Sequence, residues 1–434
     1  MYAISHRTGA LTPMNCSRKE IAANVGFSTI IDPKFKTASL TLRFITKLDS
    51  RTAAPNSLGV GTLSASNSRL TTLARLNERL SSLYGAALST FTRKRGDVQI
   101  LGLTASWITR RYAFDGENVD SEMLAIIRDC LFAPNVKDGE FDAESFAITK
   151  KDLLDRIDSE LNNKRGYALS RAAEIAFRGE PAEFSCYGTK EAAAAVTSAE
   201  AYEAYKELVR TSRIEIFYIA PEENPEAEEM LRSCISELDR QPQDCVFRSK
   251  SPVREKVEEV SDKFDVLQCK MVMNFKSDSD DMAAMKLLST IFGETPVSKL
   301  FMNVREKLSL CYYCACRTVA SKGALMVDIG VEYANIDKAR DEILRQLDEI
   351  RNGNITDEEL QSAMMSLDNA LTQIGDTPSS YSGWYFERLC DGKMVTPMEQ
   401  LELYKNVTKE RIIEAAGTLT LDSVYLMLSK EADK

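Results

Sequence analysis

At 434 residues the chain is longer than one ordinary hydrophobic core organises, so two or more domains are expected. A hydrophobic share of 44% with 28% charged residues excludes disordered and fibrous classes, and a net charge of −10 excludes the basic footprint of a general nucleic-acid binder. The single histidine, His6, leaves the body of the chain without a histidine-based triad or an ordinary zinc-hydrolase site.

Residues 19–31 suggest an early strand or helix entry, and residues 38–48 alternate as a strand with one buried face. Residues 50–57 read as a loop leading into the small-residue stretch LGVGTLSASNS at 58–68. Leu70, Leu73, Leu76, Leu80 and Leu83 recur at helical spacing, which predicts an amphipathic helix that stops at Gly85. A hairpin is expected around Arg95, Gly96 and Asp97, then helices over 120–132 and 141–163, the second opening on Asp142. Helices over 165–178 and 198–210 and a strand over 213–220 complete the first half. The acidic and polar stretch 221–262 is the linker candidate, with a helix at 230–238 inside it.

The second half then repeats the order. KFDVLQCKMVMNF (263–275) answers the strand around 38–48, and a helix over 280–293 stands where the small-residue stretch stood. SKLFMNVREKLSLCYY (298–313) answers LARLNERLSSLYGA (73–86), so Arg305 and Tyr312 echo Arg79 and Tyr84 at a different spacing. A strand over 323–333, a helix pair, the run 382–392, a helix over 407–417 and a strand over 423–428 follow in the same sequence as in the first half. The expected fold class is α+β. It has two homologous domains, 1–225 and 263–434, joined by a linker at 226–262, each an antiparallel-rich sheet covered by helices.

This whole-length pattern resembles the insulinase (pitrilysin) family of zinc metallopeptidases, including its mitochondrial-processing-peptidase branch. The most specific match is the segment 298–313, with a serine and leucine, then Leu-Phe, then Arg-Glu and a tyrosine seven positions past the arginine. The run ITDEEL at 355–360 and the pair Gly188-Thr189 are weaker matches. The resemblance implies that Arg305 and Tyr312 reach from the second domain to the substrate and the transition state near a zinc ion. By spacing alone, an ion pair to a neighbouring carboxylate and a half-buried aromatic would account for both.

Active members of that family carry His-x-x-Glu-His on a first-half helix, two histidines one turn apart binding zinc and the glutamate acting as general base. A glutamate on a later helix completes the site. The equivalent histidine places fall near Ser57 and Gly61, the base near Val60 and the later glutamate near Arg156. None of these can ligate zinc or act as a base, so no cofactor and no peptidase activity are expected of this chain alone. The match resembles most the zinc-free member of a bacterial pair associated with elongation factor P 5-aminopentanol modification, of which KRGD (94–97) and RRYAFDGE (110–117) are also typical. It implies a heterodimer in which a homologous subunit brings the zinc motif and one wall of a chamber for peptide substrates. No nucleic-acid or membrane partner is expected.

Cys311, Cys314 and Cys316 lie in a predicted strand, positions 314 and 316 on one face and 311 on the other, and read as buried reduced thiols, neither a zinc site nor a redox pair. The basic run 93–97 reads as a hairpin tip, and Asp152, Asp155, Asp158 and Glu160 as a solvated helix face. The ten cysteines have no disulfide-framework spacing, residues 1–16 show no leader pattern, and no apolar run approaches the roughly 20 residues that span a bilayer. These features together place the protein in the cytoplasm.

Overall fold

The computed structural model describes residues 15–430, and His6 lies outside them. The first half opens with the hairpin β1 (Asn15–Ala22) and β2 (Val25–Ile31), followed by β3 (Thr37–Lys47). Next come α1 (Ala53–Thr62), α2 (Leu73–Ser82), β4 (Ala87–Arg95) and β5 (Val98–Ile108). After α3 (Val119–Phe132), a short ribbon of β6 (Val136–Lys137) and β7 (Glu140–Phe141) leads to α4 (Ala143–Ser159). The half closes with α5 (Lys164–Ala176), α6 (Lys190–Ala195), α7 (Ser198–Thr211) and β8 (Arg213–Ala220). The connecting stretch holds α8 (Pro225–Ser236), which starts five residues earlier than its periodicity suggests because Asn224 caps it and Pro225 occupies its first turn. That helix packs on β1 and α3.

The second half contains β9 (Glu258–Phe264), β10 (Cys269–Lys276), α9 (Met282–Ser289), β11 (Cys311–Val319) and β12 (Ala324–Val331). It ends with α10 (Ile336–Arg351), α11 (Asp357–Gln373), α12 (Pro378–Cys390), α13 (Pro397–Lys405), α14 (Lys409–Gly417) and β13 (Thr420–Ser429).

The two sheets share one plan. The first runs β4-β5-β3-β8-β2-β1 and the second β11-β12-β10-β13-β9, so five strands correspond in order. Their directions correspond too: the first four strands of each are mutually antiparallel, and the fifth is parallel to the fourth, β2 to β8 and β9 to β13. The fold is thus α+β, with antiparallel-rich sheets whose apolar faces are covered by helices.

Each half also covers the other's sheet. The far face of the first sheet, with Ile45, Ile100, Phe217 and Ile219, packs against Tyr381, Tyr385 and Phe386 of α12. The far face of the second, with Val272, Met326, Tyr425 and Met427, packs against Ala168, Ala172 and Ile175 of α5. This exchange corrects the one-sided burial expected of 38–48: Leu42 and Arg43, on opposite faces of β3, are 1% and 8% exposed. Burial holds the Arg43 pKa down at about 10, and the guanidinium donates to Ser382 Oγ (2.8 Å) and stacks on Phe386. At the matching place in β10, Asn274 donates to the Ala172 carbonyl of α5.

The hairpin expected at 95–97 forms, and its tip binds the halves together. Lys322, fully buried, reaches Asp97 at 2.7 Å and Glu180 at 2.6 Å, while Arg95 pairs with Glu387 and Asp391 of the second half. A buried ammonium tolerates desolvation only when paired in this way.

Candidate functional site

Helix α1 replaces the loop and small-residue stretch expected at 50–68. The period was absent because the helix is buried almost all round, against α7 on one side and α4 on another. Its glycines cost helix propensity, about 1 kcal/mol each, but permit close approach. A Cβ on Gly59 would sit 2.5 Å from the Ala201 carbonyl of α7, and one on Gly61 would sit 2.8 Å from the Thr149 methyl of α4.

Where α1, α4 and β4 meet, a cavity of about 390 Å³ opens, lined among others by Ser57, Gly61, Arg156, Asp152 and Arg93. Three of the four sequence-derived zinc places, Ser57, Gly61 and Arg156, therefore face one cleft. Val60 does not: it is fully buried in the first core. Asp152 belongs to the acidic group expected on a solvated face, and it faces the cleft, whereas Asp155 and Asp158 pair with Lys151 and Lys190 at the surface.

The residues present do not fit a zinc ion. Ser57 Oγ donates to the Ala53 and Cys186 carbonyls and accepts from Gln99 Nε2, so its hydroxyl is tied into a buried network. Gly61 brings no donor atom and Arg156 brings a positive charge. Among the described residues no three histidine, cysteine, aspartate or glutamate side chains come together as a metal-binding group.

Sequence reasoning passed over two wall residues of this cleft, Arg93 and Tyr187. The Arg156 guanidinium stands 5.7 Å from the Tyr187 ring, and the Tyr187 hydroxyl donates to the Thr92 carbonyl. Burial pushes the Tyr187 phenol up, and Arg156 works in the opposite direction.

The second place of interest is the junction at 298–313. Leu300 and Val304 anchor it in the second core, and Lys299 is buried against Glu359 at 3.0 Å, the same glutamate that closes the capping box of α11 with Thr356. On this fixed base, a wide helical turn over Phe301–Lys307 presents Arg305, whose guanidinium lies over the Phe301 ring and, among the described residues, pairs only with the adjacent Glu306, at 3.4 Å. Tyr312 is the extra residue of a β-bulge: Cys311 pairs with Val331 and Tyr313 with Gly330. The bulge turns its ring outward, 79% exposed, and its hydroxyl has no partner among the described residues.

The same bulge corrects the reading of the cysteines. It shifts the alternation by one, so Cys311 packs on the same core as Cys314 and Cys316, not on the opposite face. Burial pushes the Cys311 thiol up to about 11 and the other two higher still, which keeps all three protonated at neutral pH.

The first-half counterparts differ. Arg79 pairs with Glu122 at 2.8 Å, and Tyr84 donates to Glu117 (2.7 Å), accepts from the Phe114 N–H and lies against the Phe114 ring.

Comparison with known proteins follows this geometry. The family described as "Peptidase M16 inactive domain" matches residues 195–367, a span that includes Arg305 and Tyr312. The "Probable inactive metalloprotease YmfF" of Bacillus subtilis is 25% identical over 92% of this chain and 94% of its own length. The chain is similar to inactive members of the insulinase (M16) family and, with one histidine, lacks the zinc motif of the active ones. Solved structures agree on the fold. A conserved protein from Enterococcus faecalis matches with a TM-score of 0.88 at 25% identity, over 96% of this chain and 99% of that one. A peptidase M16 inactive domain from Pseudomonas fluorescens matches with a TM-score of 0.77 at 16% identity, over 96% and 98%. No helix among the described residues is long and apolar enough to cross a membrane.

Proposed function

We propose that this chain is the non-zinc-binding subunit of a two-chain peptidase, and that it supplies Arg305 and Tyr312 to a zinc site held by a homologous partner. The observation that supports this reading is the pair itself. A guanidinium and a phenol stand on a buried base, at the family's Arg and Tyr places; among the described residues Arg305 has only the adjacent Glu306 as an ion-pair partner, and Tyr312 is exposed. A guanidinium can hold a peptide carbonyl or carboxylate in its fork, and a phenol can donate to a developing oxyanion. The described residues hold no metal-binding group and the zinc-motif places lack a base, so in this reading those come from the partner, with the zinc. A cytoplasmic location and a link to translation-factor modification rest on the residues and the resemblance described above.

The test is reconstitution. The purified chain alone is expected to bind no stoichiometric zinc and to cleave no peptide, and activity is expected when a zinc-motif partner is added. Replacing Arg305 and Tyr312 together by alanine should lower turnover of the complex by about 10²-fold without dissociating it. Full turnover in the double variant would sink the proposed role.

A second reading, a non-catalytic peptide-binding or scaffold protein, is favoured by a different observation. Strand β4 is an edge strand beside the cleft of about 390 Å³, and an open edge can take an extended peptide as an added strand. In that case peptides bind the chain without any proteolysis depending on it.

A further inference from the structure

We propose that the cleft between α1, α4 and β4 binds a single carboxylate of an extended peptide, with Arg156 and Arg93 as its receptors; this rests on the peptide-binding reading. Arginines across this surface usually find an acid: Arg51 holds Asp49, Arg128 holds Asp129, Arg210 holds Glu207 and Arg345 holds Glu342. Arg93 and Arg156 have no carboxylate partner among the described residues, yet both line the same cavity.

Each is held by an aromatic ring of the cleft wall instead. Arg93 stands 5.8 Å from the Phe91 ring and Arg156 stands 5.7 Å from that of Tyr187. A ring at that distance attracts a guanidinium without neutralising it, and a guanidinium has N–H groups enough to donate as well to a planar two-oxygen acceptor.

The rest of the lining narrows the ligand. Most hydroxyls of the cleft are engaged internally: Ser64 with the Gly61 carbonyl, Thr149 with the Ser145 carbonyl and Tyr187 with the Thr92 carbonyl. The two guanidiniums are therefore its charged donors, beside the Thr92 hydroxyl, with Arg156 also donating to the Tyr187 hydroxyl. Asp152, on the same wall and outside any ion pair, repels a second negative charge, which favours a monoanionic carboxylate over a phosphate dianion. A chain of net charge −10 also disfavours a ligand with many acids.

A second cavity, about 470 Å³ at the start of α9, makes the contrast. All its cations but Lys393 are already neutralised, Arg411 by Asp281, Arg388 by Asp391, Lys286 by Glu294 and Arg248 by Asp280.

The peptide backbone would run along β4, which pairs only with β5 and leaves its other side open. The hydroxyl of Tyr187 occupies the Thr92 carbonyl, so the free part of the edge is Ala87–Phe91. An acidic side chain two or three residues along then reaches the arginines.

The experiment uses the full chain and acetylated, amidated ten-residue peptides of Gly, Ser, Thr and Val with one central residue varied: Glu, its isostere Gln, or phosphoserine. Calorimetry is expected to show the Glu peptide binding about tenfold more tightly than the Gln peptide, with phosphoserine weaker than Glu. Arg156→Gln combined with Arg93→Gln should bring the Glu peptide down to the Gln level while the Gln affinity, which reports an intact β4 edge, stays unchanged. Equal affinities for Glu and Gln in the native chain would overturn the carboxylate site and leave peptide binding standing. A preference that survives the double variant would overturn the assignment of the arginines, and binding of none of the peptides would overturn both readings. Tightest binding by phosphoserine would make the site a phosphate receptor and overturn the carboxylate.

Discussion

The two helix-to-strand junctions of this chain each carry an arginine and a tyrosine, and the fold treats the two pairs in opposite ways. At the first junction Arg79 is held by Glu122 and Tyr84 by Glu117, and a neighbouring ring covers the phenol. At the second, Arg305 has only its sequence neighbour Glu306, and a bulge turns Tyr312 into solvent. Both junctions sit at the outer strand of equivalent sheets, so strand order does not explain the difference. What differs is whether carboxylates stand within reach, Glu117 in the loop before α3 and Glu122 in the first turn of α3. The first half therefore uses its pair to fasten its own loop and helix, while the pair of the second half stays exposed.

The zinc places sharpen this comparison, because they ask whether the first half is a metal site lacking only its ligands. The packing says it is not. Val60→Glu would put a carboxylate into the first core with no partner, and we expect it to destabilise the chain by about 4 kcal/mol, read from the urea midpoint. A variant with histidines at Ser57 and Gly61 and glutamates at Val60 and Arg156 should fail to take up stoichiometric zinc, since Thr149 already occupies the space beside Gly61. Zinc uptake by that variant, measured by metal analysis after dialysis, would show that the first half remains a metal scaffold.

The comparison also assumes that the halves move as one body. Lys322→Met leaves Asp97 and Glu180 facing each other across the contact between the halves, and the expected cost is about 3 kcal/mol. Restoring the charge with Lys322→Arg should recover only part of it, because a guanidinium does not fit a site shaped for a fully buried ammonium. A loss below about 0.5 kcal/mol for Lys322→Met would mean that the clasp contributes nothing, and that α5 and α12 alone join the halves.

Much of this architecture is legible in the residues wherever the signal is local. The leucine spacing of α2, the Asp142 cap of α4 and the turn at Arg95–Asp97 are each set by neighbours within a few positions. What escapes is set by distant chain. Helix α1 has no polar face because α4 and α7 enclose it. The second buried face of β3 needs Tyr385 and Phe386, more than 300 residues away in sequence. The bulge at Tyr312 cannot be read from alternation, and it moved Cys311 to the other face. Arg305 and Tyr312 could be named only through a family resemblance, since their spacing is also that of an ordinary ion pair and surface ring. Arg93 was absorbed into a basic run read as a hairpin tip, although Phe91 two positions earlier marks it as a stacked side chain on one face of β4.

Smaller effects separate the two junctions directly. Arg79→Ala should cost about 0.5 kcal/mol, the worth of a half-exposed pair, while Arg305→Ala should change stability by less than the error of a urea titration. Equal losses at the two positions would remove the contrast.

The phenol of Tyr84 provides the finest test. Its hydroxyl donates to the Glu117 carboxylate, an acceptor that favours the protonated phenol, so its pKa lies above the usual 10.0. Because the folded value is raised, this hydrogen bond supports the fold fully below the unfolded phenol's pKa. The support is then lost as pH rises through the folded value. Burial also raises other phenols, Tyr205 and Tyr385 among them, so the late step of Tyr84 is read by difference: tyrosinate absorbance of Tyr84→Phe subtracted from the native titration should isolate one late ionisation, which moves to lower pH in Glu117→Gln. Tyr312→Phe should leave that late step in place, because the Tyr312 hydroxyl has no partner among the described residues. If instead removing Tyr312 abolished the late ionisation, the free hydroxyl of the second junction would have a hidden partner, and its availability to another subunit would no longer follow from the geometry.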